Sequence, residues 1–109
     1  MNGVNKVILF GRLGQDPQTL LTKDGQNYAR LSLATHYYLR DKDGESEKRT
    51  NWHKVNVFGK KADICAKFLK KGAAVYVEGY LSTFETEEEG KKRWHTVITA
   101  NDLNFPGPS

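Results

Sequence analysis

The sequence predicts an all-β barrel carrying one helix, and three observations lead there. Five stretches alternate apolar and polar residues with a period of two. One stretch, after Gly59, repeats its apolar residues at about 3.6, and the links between stretches are short or hairpin-like and rich in Gly and Asp. At 109 residues and 38% hydrophobic content the chain can bury one core but not two, so a single domain is expected over residues 1–104.

Asn5 to Leu13 reads as the first strand, with Val7, Leu9 and Leu13 on one face and Lys6, Ile8, Phe10 and Arg12 on the other. Gly11 inside it predicts a bulge or sharp bend. Gly14-Gln15-Asp16-Pro17 closes the strand, because proline presets its own φ and moves Asp16 away from helix. A short extended piece, Thr19 to Thr22, leads into Asp24-Gly25, a hairpin signal. In the second strand, Tyr28 to Thr35, the buried face is Ala29, Leu31, Leu33 and Thr35, with Tyr28, Arg30, Ser32 and Ala34 opposite. The polar run Arg40 to Thr50 has too little apolar area for a core and is expected to be a mobile hairpin loop. Tyr37, Tyr38, Arg40 and Lys42 stand on the approach to it, either as a clamp on a nucleic-acid strand or as a tyrosine pair packing on the barrel rim.

Asn51 to Gly59 is the third strand. It alternates His53, Val55 and Val57 with Trp52, Lys54, Asn56 and Phe58. The second set places two rings around an ammonium and an amide, which suits stacked bases with phosphates beside them better than it suits a core. The helix follows, its stripe made of Ala62, Ile64, Cys65, Phe68 and Leu69, with Gly72 placed to end it. The fourth strand, Ala74 to Leu81, should point Val75, Val77 and Leu81 inward and Tyr76, Glu78 and Tyr80 outward. A flexible charged hairpin, Ser82 to Lys92, and a fifth strand, Arg93 to Ala100, complete the barrel. On that last strand Thr96, Ile98 and Ala100 share a face with Trp94 and suggest its partial burial. Residues 105–109 look like the start of a disordered tail.

Strand-strand-strand-helix-strand-strand is the element order of the OB-fold, a five-stranded Greek-key barrel whose second and third strands bind oligonucleotides or oligosaccharides. Trp52 falls on that third strand.

Composition bounds the rest. Seventeen Lys and Arg against thirteen Asp and Glu give +4 and a pI near 9.2, a modest bias toward an anionic partner. No apolar run approaches the roughly 18 residues of a membrane span. Cys65 is the single cysteine, which excludes an internal disulfide and fits a cytoplasmic protein; it lies in the helix stripe as a small hydrophobe rather than a nucleophile. His36, His53 and His95 lie on separate segments without zinc-ligand spacing, no Gly-x-x-x-x-Gly-Lys run is present, and the acidic residues form no placeable pair, so neither a metal, a cofactor nor an enzyme is expected.

The segments Gly3-Val4-Asn5-Lys6-Val7-Ile8-Leu9, Gly14-Gln15-Asp16-Pro17, Leu33-Ala34-Thr35, Trp52-His53-Lys54, Phe58-Gly59-Lys60, Leu69-Lys70-Lys71-Gly72 and Val75-Tyr76-Val77-Glu78-Gly79 together resemble the bacterial single-stranded-DNA-binding protein family, over about residues 3 to 101. The resemblance implies a non-catalytic OB-fold protomer, assembled as a homotetramer, that wraps single-stranded DNA in replication, recombination and repair. It implies stacking at Trp52 and Phe58, basic contacts at Lys54 and Lys60, positions near the DNA path at Lys6 and Lys71, and a subunit contact at His53. Arg30 on the second strand joins the expected DNA-binding set, while Tyr76 is divided between DNA and another subunit.

The sequence departs from the family pattern at three places. Leu39 and Thr86 stand where stacking aromatics are usual; Tyr38 and Phe84 are the nearby substitutes, although one residue along a strand reverses the face. Glu85, Glu87, Glu88 and Glu89 make the second hairpin acidic where the family is often basic, so it either weakens DNA contact or is solvated and points away. The family's long tail with an acidic tip, which recruits genome-maintenance proteins, does not lie within a sequence that stops at Ser109, so such partners are expected only through a longer tail outside this chain. Two other roles compete: a tail-less dimeric OB-fold scaffold of the replication-restart type, and an OB-type RNA binder.

Overall fold

The computed structural model describes residues 3–106. Along the chain run β1 (Val7–Leu13), β2 (Gln18–Leu21), β3 (Asn27–Arg40), β4 (Ser46–Phe58), α1 (Lys60–Phe68), β5 (Ala74–Glu88) and β6 (Lys91–Asn104). Five strands close a barrel in the order β1-β5-β6-β4-β3, and β3 returns to β1 through Arg12↔Ala34 and Leu13↔Leu33. The β4–β6 junction is parallel and also brief, Val55↔Ile98 and Asn56↔Thr99. This is the expected OB-fold with one addition. The extended piece before Asp24-Gly25 is a strand, β2, which pairs with the start of β3 and flanks the barrel.

Alternation makes the core. Leu13, Ala29, Leu31, Leu33, Val55, Val57, Val75 and Val77 point inward from four strands, and Ala62, Cys65 and Leu69 of the α1 region pack into the same cluster. Ile64 and Phe68, expected in the helix stripe, are instead exposed. At about 100° per residue, Ile64 stands on the far side of the helix from Ala62, and a nine-residue helix presents only one stripe to the barrel. The helix also stops at Phe68, before Gly72; that glycine, at φ 90°, instead serves the following turn, where its N–H donates to the Leu13 carbonyl at 2.8 Å.

Further expectations are corrected. The pairing of β1 with β5 runs unbroken across Gly11; the irregularity lies instead between Glu78 and Gly79, opposite Asp102 and Ala100. Leu81, expected inward, stands opposite the core residue Ile98 but is half exposed, because it lies beyond Gly79, where the pairing of β5 with β1 ends. The two expected loops are mostly strand, because the hairpin ladders continue past the barrel to tight turns at Asp43-Gly44 and Glu89-Gly90. Phe105 packs against the core, which extends the packed chain one residue past 104. Of the expected tail, residues 107–109 lie outside the described residues.

Burial pushes the Cys65 thiol up from its ordinary 9.0 to about 11. The folded state therefore holds the proton more tightly than the unfolded chain, so the thiol's contribution to stability is complete below pH 9.0 and is lost as pH climbs toward 11. Urea midpoints should accordingly fall more steeply with pH over that range in the wild type than in Cys65→Ala. Parallel curves would mean that the thiol is solvated.

Candidate nucleic-acid interface

The ladder between β3 and β4 sets one outer face. Tyr28 stands opposite Phe58, Arg30 opposite Asn56 and Ser32 opposite Lys54; farther along, Ala34 pairs with Trp52, His36 with Thr50 and Tyr38 with Lys48. Trp52 (60% exposed), Phe58 (42%) and Tyr38 (67%) thus share one side of the sheet. Trp52 and Phe58 are six residues apart, about 20 Å along the strand. Tyr38, not Leu39, shares the Trp52 face, so the one-residue offset from the family position keeps a ring on this side. Arg40 continues the same face opposite Ser46.

The rings are held by local packing. Tyr28 stacks on Phe58 with centroids 5.2 Å apart and planes 22° from parallel. Arg30 Nε donates to Asn56 Oδ1 at 3.3 Å, which satisfies the one buried polar side chain of this strand face. Trp52 lies against Gly14 so closely that a Cβ there would overlap the indole. A cleft of about 420 Å³ runs between this face and the second hairpin, bringing together Tyr28, Arg30, Phe58 and Phe84 beside Lys23. Phe84 stacks on His95 at 5.0 Å, and His95 Nε2 shares a hydrogen bond of 2.8 Å with Thr86 Oγ1. Phe84 and His95 thus place a ring pair on the same face of the hairpin as Thr86.

The remaining expected residues are distributed elsewhere. Lys60 opens α1 one residue after Gly59. The Lys71 N–H donates to Asp16 Oδ1 at 2.8 Å, tying two turns together, and Lys6 precedes β1. These three lysines do not line the cleft. His53 lies on the opposite face of β4 from Trp52, half-buried, with Nε2 2.8 Å from Thr35 Oγ1. Tyr76 donates its hydroxyl proton to Glu78 Oε1 at 2.6 Å, and that hydrogen bond raises its pKa above the ordinary value. His53 and Tyr76 sit on strands that do not pair with each other.

The acidic run on the second hairpin is balanced across the ladder. Glu87 faces Lys92, Glu88 faces Lys91, Lys92 Nζ lies 3.7 Å from Glu85 Oε1, and Arg93 Nε lies 3.8 Å from Glu88 Oε2. Trp94, expected to be partly buried, is 70% exposed, because its part of β6 has already left the barrel. Sequence reasoning also missed Lys23, Lys48 and the His95 stack. The pairing register reveals Lys48 and the His95 stack, and the fold of the β2–β3 turn brings Lys23 to the cleft. Among the described residues, no group of three or more His, Cys, Asp or Glu is placed to hold a metal ion, and no helix is long and apolar enough to cross a membrane.

Fold and face together define an OB-fold barrel with an open, ring-bearing strand face. The model of the single-strand binding protein family matches residues 4–106, and the chain belongs to that family. Among similar proteins are the single-stranded DNA-binding protein of Xanthomonas axonopodis pv. citri, 44% identical over 96% of this chain and 59% of its own length, and single-stranded DNA-binding protein 1 of Chlorobaculum tepidum, 41% identical over 96% and 66%. The chain thus spans about three-fifths to two-thirds of the length of these relatives. A Plasmodium falciparum SSB in complex with ssDNA superposes with a TM-score of 0.83 at 33% identity, covering 97% of both chains.

Proposed function

We propose that this domain binds single-stranded DNA without sequence preference, stacking bases on Trp52, Phe58, Tyr38 and Phe84 and meeting phosphates with Lys54, Arg30 and Arg40. The observation that carries this reading is the line of exposed rings on one face of β3 and β4, interleaved with cations. Every base offers a π-face, so stacking at roughly 1 to 3 kcal/mol per base gives affinity with little discrimination. Lys6, Lys60 and Lys71, outside the cleft, extend contact to a strand that passes around the barrel. Family membership supports a cytoplasmic, non-catalytic role in replication, recombination and repair. It also supports assembly as a homotetramer, with His53 and Tyr76 at subunit contacts; the outward face of β1 and β5, where exposed Ile8 pairs with Glu78, favours self-association. Recruitment of genome-maintenance proteins would require a longer tail outside this chain.

Intrinsic tryptophan fluorescence during titration with oligo-dT, duplex DNA and RNA tests the reading. Because Trp94 is exposed as well, Trp52→Phe is the necessary control. Quenching by oligo-dT that is lost in that variant, with a weak duplex response, is the expected result. Equal response to duplex would leave charge alone as the source of affinity, and a dimeric mass in solution would favour the scaffold role.

A further inference from the structure

We propose that the hollow where β1 leaves β3 is a phosphodiester subsite, lined by Arg12, His36 and Lys48, whose affinity is coupled to proton uptake by His36; this rests on the single-strand-binding reading above. The hollow has a volume of about 440 Å³ and takes Phe10, Gly11 and Arg12 from β1, Ala34, Thr35 and His36 from β3, Lys48 from β4 and Ala74 from β5. No carboxylate lines it, so the charged and titratable groups facing His36 are Arg12 from β1 and Lys48 from β4. Among the described residues the carboxylate ion pairs use Arg49, Lys61, Lys92 and Arg93, and neither Arg12 nor Lys48 takes part in one. Such cations, gathered around a concavity without acids, repel one another until an anion enters.

The geometry suits a phosphate delivered by a stacked strand. The His36–Thr50 pair is one step, about 7 Å, past the Ala34–Trp52 pair on the same face, so a chain with a base on Trp52 carries its next phosphates over the hollow. Arg12 Nη1 donates to the Gly72 carbonyl at 2.9 Å, which orients the guanidinium and leaves its other N–H groups for a ligand. His36 Nδ1 lies 2.9 Å from Thr50 Oγ1. A hydroxyl donates to the neutral ring and accepts from the imidazolium, so Thr50 holds the ring in either protonation state and leaves Nε2 to meet the ligand. An arriving phosphate favours the imidazolium over the neutral ring, so binding and proton uptake are linked. Affinity therefore rises as pH falls.

The test is the dissociation constant for oligo-dT, whose bases do not titrate here, between about pH 5.5 and about pH 8.5 at fixed ionic strength. Wild type should bind about fivefold tighter at the acid end. His36→Gln should lose that enhancement, and Lys48→Gln should flatten the log K against log salt slope by about 0.7. Circular dichroism checks that each variant is folded. Addition of inorganic phosphate should erase the acid enhancement if the hollow takes phosphate oxygens of either source; persistence of the enhancement in excess phosphate restricts it to the strand. Binding that is tight but independent of pH, an enhancement that survives in His36→Gln, or an unchanged slope in Lys48→Gln would each overturn the subsite while leaving the single-strand reading standing. Absence of oligo-dT binding at every pH would remove both.

Discussion

Replacing Trp52 with alanine should weaken oligo-dT binding about five- to 150-fold at fixed salt, equivalent to about 1 to 3 kcal/mol for one stacked base. The indole is well exposed and outside the core, so the variant should unfold at the same urea concentration as the wild type. The slope of log K against log salt should stay the same as well, since a ring neutralises no phosphate. That combination separates stacking from charge: loss of a lysine such as Lys54 would change the slope by about 0.7. Gly14→Ala gives a reciprocal check, because its new methyl group displaces the indole without removing it and should lower affinity by a smaller factor. Unchanged affinity in Trp52→Ala would move the binding surface off this face.

Gly11→Ala should destabilise the fold by about 3 kcal/mol or more, at or beyond the upper end of ordinary overpacking. A Cβ at this position would overlap the carbonyl oxygen of Ala34, and neither partner is a flexible side chain that can swing aside. The strain falls where Arg12↔Ala34 and Leu13↔Leu33 tie β1 to β3. Against a total of about 5 to 15 kcal/mol for a small domain, such a loss should be visible as a large drop in the urea midpoint. Gly3→Ala, with open space around it, is the matched control and should stay within about 0.5 kcal/mol of wild type. A Gly11→Ala midpoint equal to that control would mean that the two strands can separate freely.

The barrel was legible because its core strands alternate cleanly. Ala29, Leu31 and Leu33 announce an inner face, and the same period places Trp52 and Phe58 opposite Val55 and Val57. Where the period carries no hydrophobic contrast, the sequence says less. The outer halves of both hairpins are polar on either side, and they are strands because each backbone ladder extends the one begun in the barrel. β2 has four residues with only Leu20 half-buried, too short to show a pattern. Leu81 is exposed because β5 has run past the end of its pairing with β1 at Gly79, an end that no residue near Leu81 marks. The candidate site divides in the same way: rings on one strand could be found by parity, whereas the Tyr28–Phe58 and Phe84–His95 stacks needed the register between strands.

The two brief junctions that close the barrel make it a clasp rather than a uniform tube. One unit is the β3–β4 hairpin with β2; the other is the three-stranded ladder β1–β5–β6; and they meet through two residue pairs on each side. Both junctions bridge longer stretches of chain than the turns of the β3–β4 and β5–β6 hairpins, so those two hairpins are expected to form first. The junctions are also the places where the native protein should open first. Native-state hydrogen exchange would register this as earlier exchange of amides such as those of Ala34 and Asn56 than of the inner ladder around Leu31. A strand of DNA lying across the ring-bearing face would then slow exchange at the β4 junction, since the cleft beside Asn56 borders Thr99 of β6.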